Sequence, residues 1–429
     1  MHSEQFPIAA FFERLAFALL ALMPLVMWAA NRSAPLMLVL ASAAMLTSAV
    51  ADGRLARLQA NIGHAIRHRG GIALLLFLAF ALISISWSHR SPASLFVLGE
   101  ALLPAICGLV LASAWPNATP RWAVPALGLS IIATCLLALA EISNGNAWRL
   151  ALGLRPDGAI FNRTLLVCLL LGVPAVAALA RGSNPALRLL ALGVVATVCT
   201  AIMSSESGAA KLGLAAVIAA WATTLLLPRL TLALAATGFV VAVACAPIMG
   251  EVAEVTIPAA THAQLKDSHS RDRVDIWLSF GEAIRARPFT GAGFGTSGTM
   301  DRHPVAGEVP PDRRVLLGVG HPHSATVQVW AETGLPGALL LLCAGLALAP
   351  ALAQLARSVL APHLALMVGA LAVAMVGHGA WQGWWIAGLA TAGCWLRGLR
   401  QESQCQETQC QETERQESQR RETMNKGDA

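Results

Sequence analysis

Two histidines near the end of the longest polar stretch are the residues best suited to acid–base chemistry. His321 and His323 flank a proline, and Glu332 follows nine residues after the second histidine. A neutral imidazole can accept a proton near neutral pH, so His323 is a candidate general base. His321 and Glu332 are candidates for orienting that base or for holding a sugar. The two histidines could instead bind a transition metal, but no acidic residue or cysteine lies within several positions to complete a ligand set, so we expect no metal there.

A pair of arginines precedes the histidines in the same polar stretch. Arg271 and Arg273 occupy the first turn of segment 270–287, in which apolar residues recur at helical spacing. A helix N-terminus favours acidic groups, so two arginines at this place call for an anionic partner. Asp272 and Asp275 could supply that partner locally, or a substrate could supply it.

Two further cations stand at the predicted starts of apolar helices. Arg163 opens the sixth apolar run, and Lys211 lies in the first turn of the eighth. The free N–H groups and partial positive charge of a helix N-terminus, together with a basic side chain, suit a phosphate. Long basic side chains also anchor helices at the membrane surface, and that interpretation stays open here.

A glycine-rich loop at 291–298 follows the arginine-bearing segment. Such a loop can present backbone N–H groups to a sugar or a phosphate. It follows no predicted strand, so we reject a nucleotide-binding fingerprint. The chain contains no Asp-x-Asp pair. We therefore expect no divalent metal held by carboxylates, and arginine is the candidate for neutralising an anionic ligand.

The elements that position these groups are those of a membrane protein. Apolar residues make up 56% of the 429 residues and charged residues only 13%, against about 45–50% and about 25% in soluble domains. Most apolar residues lie in runs long enough to cross a hydrocarbon core of about 30 Å as helices. We predict an all-α fold, a polytopic bundle of about 12 transmembrane helices with one large loop that itself contains helices. The predicted spans are 8–30, 34–51, 71–87, 94–114, 122–142, 160–180, 186–203, 210–227, 230–248, 336–356, 362–378 and 381–399.

Four segments follow from these spans. Residues 1–249 hold spans one to nine, 250–334 form the large polar loop, 335–400 hold the last three spans and 401–429 form a tail. The tail is a near-repeat of Gln-Glu-Ser/Thr units with almost no apolar residues, which predicts disorder. The nine cysteines lie in apolar runs or in the tail, so no disulfide framework is expected. The net charge of +6 comes without a basic helix, so no nucleic-acid partner is expected.

The distribution of basic residues predicts which way the bundle faces. Before residue 401, the side of the two termini carries twelve arginines: Arg14, Arg54, Arg57, Arg67, Arg69, Arg121, Arg181, Arg188, Arg229, Arg357, Arg397 and Arg400. The short loops opposite carry six cations: Arg32, Arg90, Arg149, Arg155, Arg163 and Lys211. Basic residues concentrate in cytoplasmic loops, so we predict that both termini are cytoplasmic and that the 250–334 loop faces the other side.

The histidine motif resembles the signature of a known family. His323-Ser324, nine residues and then Gly334-Leu335-Pro336-Gly337 fit the pattern His-[Asn/Ser/Gln]-x9-Gly-x-x-Gly. That pattern is typical of the O-antigen ligases, the polytopic glycosyltransferases of the polymerase/ligase superfamily. Composition alone would produce it about 0.01 times in this chain. The motif also stands at the end of the large loop, before the last three spans, as it does in that family.

A second stretch carries the same resemblance, and one position departs from it. Arg273-x-x-x-Trp277, followed by Pro288-x-x-Gly291-x-Gly293, looks like the corresponding stretch of the O-antigen ligases. Before the eighth span the family commonly has Ser-Arg. This chain has Ser205-Glu206 there, with Lys211 one turn later. Lys211 is therefore the candidate replacement for the family's arginine.

The resemblance implies an enzyme of lipopolysaccharide biosynthesis in the bacterial inner membrane. It would transfer a preassembled O-antigen from undecaprenyl pyrophosphate to a sugar hydroxyl of the lipid A core at the periplasmic face. The implied partners are the lipid-linked glycan, the lipid A-core acceptor and membrane lipid, and no cofactor is implied. His323 would act as base, and Arg163, Lys211 and Arg273, with Arg271 second, would stabilise the departing pyrophosphate. A base without a carboxylate nucleophile favours a single inverting displacement.

Two alternative functions remain open from the sequence. An O-antigen polymerase would use the same donor with a lipid-linked sugar as acceptor. A transporter or flippase of a lipid-linked glycan belongs to a different class, and it would be expected to show paired broken helices near mid-membrane. The charges of this chain crowd one interface beside one large loop, which favours an enzyme.

Overall fold

The computed structural model describes residues 7–153, 157–264 and 269–401, and it contains helices and no strand in those ranges. In chain order the helices are α1 (Pro7–Ala29), α2 (Ala34–Ala51), α3 (Leu55–Arg67), α4 (Arg69–Ser84), α5 (Ser91–Ala114), α6 (Ala123–Ser143), α7 (Ala147–Ala151), α8 (Phe161–Arg181), α9 (Pro185–Ser204), α10 (Gly208–Leu226), α11 (Pro228–Ala244), α12 (Met249–Thr256), α13 (Ala259–Gln264), α14 (Ser270–Ala286), α15 (Pro311–Arg314), α16 (Ala325–Leu346), α17 (Ala349–Ala353), α18 (Arg357–Val376) and α19 (383–401). The predicted all-α polytopic fold is confirmed. The predicted tail lies almost wholly outside the described residues.

Most of the long helices lie where the sequence predicted membrane spans. Among the described residues, 10 helices are long and apolar enough to cross a membrane. An eleventh candidate is the pair formed by α11 and α12, which bends by 58° at a short break. Helix α19 lies where the twelfth span was predicted. The chain is therefore a multi-pass membrane protein.

Local sequence signals explain where several spans begin. Prolines stand in the first turns of α9 and α11, where the missing N–H would have no helical partner anyway. The side chains of Asn184 and Ser207 accept hydrogen bonds from backbone N–H groups at the starts of α9 and α10, at 2.9 and 3.2 Å. Such caps satisfy donors that a helix leaves free at its N-terminus.

Helix α8 is the central helix of the bundle. Its apolar window is 78% buried, more than that of any other candidate span in the described part of the chain. It packs against α6, α9, α10 and α18, and buried residues run along all its sides from Phe161 to Leu179. The first turn of this helix, which carries Arg163, is therefore held within the bundle.

The described residues 257–264 and 269–324 lie on one side of the bundle, which we call the loop face. Its main element is α14, which begins and ends close to the predicted bounds and packs against α12 and α16. Val274, Phe280 and Ile284 of α14 are buried in a small apolar core on this face. This core holds the first turn of α14 at a fixed place beside the ends of the spans.

The glycine-rich loop and the first part of α16 interlock. Gly334 has φ of 60° and kinks α16 where a turn was predicted. The N–H groups of Ala292 and Gly293 donate to backbone carbonyl oxygens of α16 at 2.8 and 2.9 Å. A side chain at Gly291 would collide with the backbone of Glu332. These N–H groups of the loop are thus used to hold α16 and are not free for a sugar or phosphate.

Candidate functional site

A polar cavity of about 490 Å³ opens on the loop face, beside the first turns of α8, α10 and α14. The turns that precede α16 and α19 close its other side. Its lining residues are Asn31, Asp157, Ala159, Ile160, Asn162, Arg163, Leu166, Glu206, Ser207, Gly208, Ala209, His269, Arg273, His321, His323, Gly377, His378, Gln382 and Trp384. Four of the predicted site residues, far apart in the sequence, therefore meet in one cavity: Arg163, Arg273, His321 and His323.

Arg163 and Arg273 are the two arginines that line the cavity. Both side chains are partly buried, and the Arg163 guanidinium lies over the ring of Trp384 at 5.8 Å. Within the described residues, neither guanidinium has a carboxylate within 4.0 Å or a hydrogen-bond partner. Burial lowers the pKa of Arg273, and the nearby Asp272 opposes that shift. Arginine still remains charged near neutral pH, so the cavity holds two cations without anionic partners.

Two carboxylates, those of Asp157 and Glu206, line the cavity but form no ion pair with Arg163 or Arg273. Asp157 accepts a hydrogen bond from the backbone N–H of Ala159 at 2.9 Å and so caps the turn before α8. Glu206 stands beside Gly158, 3.9 Å from the place of a side chain there. Both acids line the cavity without forming an ion pair to an arginine. They add hydrogen-bond acceptors of the kind that sugar hydroxyls need.

The backbone and ring of His323 are fixed by three contacts. Trp277 of α14 donates from Nε1 to the carbonyl oxygen of Pro322 at 2.9 Å. The N–H of His323 donates to Nδ1 of His321 at 3.2 Å, and its ring Nδ1 lies 3.2 Å from the carbonyl oxygen of Gly377. The backbone there is left-handed, with φ of 51°, a strained conformation that surrounding contacts must hold.

These contacts determine which nitrogen of His323 can act. A carbonyl oxygen only accepts, so Nδ1 of His323 must carry the proton that it donates to Gly377. The lone pair is then on Nε2, which makes no hydrogen bond within the described part of the chain. Burial lowers the pKa of His323, and the charge of Arg273 lowers it further, while the bond to Gly377 raises it. The ring is therefore a neutral base with one free acceptor nitrogen near neutral pH.

His321 supports this arrangement and stays neutral. Its ring lies 4.2 Å from that of His323, centroid to centroid. Burial, followed by the influence of His323, His378 and Arg163, lowers the pKa of His321 to about 4. Its Nδ1 accepts the N–H of His323, so the proton of the neutral ring is on Nε2. His321 can therefore offer a hydrogen-bond donor to a ligand in the cavity.

The turn before α19 supplies residues that the sequence reasoning missed. His378, Gln382 and Trp384 line the cavity, and the ring of His378 is enclosed by Trp384 and Trp385 at centroid distances of 5.0 and 4.3 Å. Burial lowers the pKa of His378 to about 4. The available signal was the presence of His378 at the end of the eleventh predicted span and of Gln382 at the start of the twelfth, on the side of the large loop.

Lys211 and Arg271, two predicted cations, do not line the cavity. Lys211 lies two residues beyond Ala209, and Arg271 lies two residues before Arg273. Two residues turn the direction of a side chain by about 200° around a helix axis. Arg271 instead pairs with Glu254 and Asp275 at 3.3 and 2.9 Å and is 50% exposed. The local acid that the sequence offered as a partner is therefore the actual partner of Arg271.

Glu332 is placed behind the cavity and not in its lining. Its buried carboxylate accepts hydrogen bonds from the N–H groups of Gly295 and Ser297 at 2.7 and 3.2 Å. It also accepts from the side chains of Gln328 and Trp381 at 2.9 and 2.7 Å. Four donors converge on one carboxylate, which joins the glycine-rich loop to α16 and to the turn before α19. This placement gives Glu332 a role in holding the scaffold.

No cluster of metal ligands accompanies these residues. Across 7–153, 157–264 and 269–401, no group of three or more His, Cys, Asp or Glu side chains is arranged to hold a metal ion. The four histidines that line the cavity stand among two arginines, whose charge opposes a nearby cation. The two guanidiniums, which have no carboxylate partner within 4.0 Å in the described residues, therefore suit an anionic group of a ligand.

Comparison with known proteins gives a family match over part of the chain. Residues 191–342 match the family model described as O-antigen ligase. The match runs from α9 into α16 and includes Arg273, His321 and His323, while Arg163 and His378 lie outside it. No curated protein matches the chain. The similarity to the O-antigen ligase family thus covers residues 191–342, which is less than half of the chain.

Proposed function

We propose that this chain is an O-antigen ligase whose active site is the loop-face cavity. The family supports glycosyl transfer of the ligase or polymerase type in general. The observation that carries the proposal is the meeting of two unpaired arginines with a neutral histidine base in one polar cavity. An enzyme that moves a glycan from a lipid diphosphate to a hydroxyl needs these two functions together.

The proposed reaction is a single displacement at the anomeric carbon of the donor. Nε2 of His323 takes the proton of the acceptor hydroxyl while its oxygen attacks that carbon. The bond from the anomeric carbon to the phosphate oxygen breaks, and both electrons leave with the lipid diphosphate. One displacement inverts the configuration, and no carboxylate nucleophile is required.

Arg163 and Arg273 act on the charge that the leaving group gains. A guanidinium offers paired N–H donors that match phosphate oxygens. Because these two arginines have no carboxylate partners in the described residues, they are free to hold the diphosphate as the bond breaks. His321 and the acids Asp157 and Glu206 are placed to bind sugar hydroxyls.

The substrates and the location are part of the same proposal. The donor is an O-antigen polysaccharide on undecaprenyl pyrophosphate, and the acceptor is a sugar hydroxyl of the lipid A core. The loop face is periplasmic, the membrane is the bacterial inner membrane and both termini are cytoplasmic. The distribution of arginines between the two sides supports that orientation.

The direct test is reconstitution of the purified protein. It is incubated with the lipid-linked glycan and either lipid A-core or a second lipid-linked glycan as the acceptor. A joined product with lipid A-core supports a ligase, and longer lipid-linked glycan would show a polymerase instead. Movement of the intact donor across a bilayer without a new glycosidic bond would replace the proposal with a transporter.

Metal independence is proposed from the same two arginines, which can neutralise the diphosphate themselves. Adding EDTA to the reconstituted reaction should leave its rate unchanged. Loss of product that Mg²⁺ or Mn²⁺ restores would show that a divalent metal takes part.

A further inference from the structure

An apolar furrow begins below the polar cavity on the outer surface of the bundle. It has a volume of about 370 Å³ and lies among α8, α9 and α10, with no charged residue in its lining. Its floor is closed, since Val173 and Val194 are 4% and 1% exposed. Its rim is open, since Val195 and Ile218 are 44% and 54% exposed. The furrow is therefore a groove that faces the membrane interior along its length.

The furrow is continuous with the cavity along two helices. On α8, Leu166 lines the cavity and Leu169 lines the furrow. On α10, Ala209 lines the cavity and Leu214 lines the furrow. These steps of three and five residues correspond to about 5 and about 8 Å along a helix axis. From Leu214 the lining continues to Leu225, about 16 Å further, or about half the thickness of a hydrocarbon core.

We propose that this furrow binds the isoprenoid chain of the lipid-diphosphate donor, an inference that rests on the proposed function. A diphosphate held by Arg163 and Arg273 has its lipid chain attached, and that chain must leave the cavity toward the membrane interior. The furrow is the apolar surface that continues from the cavity in that direction. Because the headgroup tethers the chain beside the furrow, the local concentration of the chain is high there. One lipid molecule thus occupies both sites, with its diphosphate in the cavity and its isoprenoid chain in the furrow.

Gly172 provides a way to close the furrow without disturbing the helices. A Cβ atom at Gly172 would meet only the side chains of Val194 and Val198, both at 3.9 Å, which is ordinary contact. A larger side chain there can therefore be added to the backbone and would occupy the furrow. Gly238 of α11 is a matched control because it is also a helical glycine, is exposed and has no atom within 4 Å of a Cβ. It does not line the furrow.

The first experiment compares donors that carry the same glycan diphosphate on a long polyisoprenyl chain or on a single five-carbon dimethylallyl group, which is too short to reach Gly172. With the unaltered protein, the long-chain donor should have the lower KM. Gly172→Phe should raise the KM of the long-chain donor by about tenfold and leave that of the dimethylallyl donor nearly unchanged. Gly238→Phe should change neither. Retained turnover of the dimethylallyl donor also shows that the Gly172 variant is folded, and Gly172→Leu provides a milder filling.

The furrow proposal is overturned if Gly172→Phe leaves the chain-length preference intact, or if it raises both KM values equally. Absence of transfer from either donor by the unaltered protein contradicts the proposed function instead. A binding experiment keeps the two failures distinct. A photo-crosslinking benzophenone side chain is placed at Ile218, and the protein is irradiated with labelled long-chain polyprenyl diphosphate in phospholipid vesicles. Capture of the polyprenyl diphosphate, competed by unlabelled compound, supports the furrow, whereas capture of phospholipid alone overturns it.

Discussion

Five arginines, four in or directly after α14 and one at the start of α8, fall into two groups that differ in their partners. Arg271, Arg285 and Arg287 each pair with glutamate or aspartate at the protein surface. Arg273 and Arg163 have no such partner within the described residues, although Arg273 is only two residues from Arg271. The same residue type in the same helix thus has a local partner on one face and none on the other. The two groups are therefore distinguished by whether the guanidinium forms an ion pair with a carboxylate, and not by position in the sequence. Arginines with such a pair stabilise the loop, and those without one are available to a ligand.

The electrostatic environments of the two groups differ in the same way. Hydrogen bonds that Arg271 donates to Glu254 and Asp275 raise the pKa of Arg271, whereas burial lowers the pKa of Arg273. An exposed ion pair contributes only about 0–1 kcal/mol to stability. A partly buried cation without a partner is unfavourable until an anion binds. We expect function to depend strongly on the second group and weakly on the first.

Removal of the base should have the largest effect. His323→Ala should reduce turnover by about 10²- to 10⁴-fold, the usual contribution of a general base, while donor binding stays close to normal. Turnover and donor affinity are measured separately in the reconstituted system. His64→Ala, which removes an exposed histidine on α3 at the opposite face, is the control. Near-normal turnover of the His323 variant would require another base.

Removal of either unpaired arginine should come next. Arg163→Ala and Arg273→Ala should each lower the rate by about 10²- to 10³-fold, because the charge of the leaving diphosphate is no longer stabilised. Lysine in their place should retain part of the activity, since the charge remains but the paired donors are lost. Arg285→Ala serves as a matched control from the paired group. A similar loss in that control would remove the distinction between the groups.

The pH profile should report the neutral base. His323 works only when it is unprotonated, and burial followed by the charge of Arg273 lowers its pKa below the ordinary value of about 6.5. His321 and His378 have pKa values of about 4, so both remain neutral at any pH well above that value. The rate should therefore stay constant near neutrality and fall only at a pH below about 6.5.

The charge of Arg273 also links the pH profile to the arginines. In the residual activity of Arg273→Gln, the acid limb should move to higher pH, since a positive neighbour of the base is lost. An acid limb that stays in place, or one that moves to lower pH, would show that His323 does not titrate beside Arg273.

The sequence predicted the helices and the key side chains of the cavity, but not which face of a helix they occupy. Apolar runs indicated the spans because a hydrocarbon core demands about 20 apolar residues for each crossing. His321, His323, Arg163 and Arg273 were identifiable from residue type and motif. Lys211 and Arg271 were grouped with them because a linear motif does not indicate the rotation of each side chain about its helix. His378 was missed because its neighbours meet it only when α18 and α19 close against α8.

The role of Glu332 shows a second limit of the sequence. A carboxylate near a catalytic histidine suggests a partner for that histidine. The structure places Glu332 against four hydrogen-bond donors, of which only Gln328 comes from the same helix. The other three donors come from positions that are distant in the chain, and no local pattern shows that they converge.

Loss of a paired arginine should have the smallest effect. Arg271→Ala removes an exposed ion pair with Glu254 and Asp275, so the rate should change by no more than a few-fold. Thermal unfolding measured in the same detergent should also change little. A loss as large as that of Arg273→Ala would mean that Arg271 leaves its carboxylate partners to bind substrate.

The most direct test of the account is the affinity of the purified protein for polyprenyl diphosphate, measured by titration for the unaltered chain, Arg273→Ala and Arg271→Ala. A hydrogen bond to a charged group contributes about 1.5–3 kcal/mol, which corresponds to roughly a ten- to hundredfold change in affinity. We predict a weakening of that size for Arg273→Ala and an unchanged affinity for Arg271→Ala. Equal affinities for the two variants would contradict the claim that the unpaired arginines of the cavity bind the diphosphate.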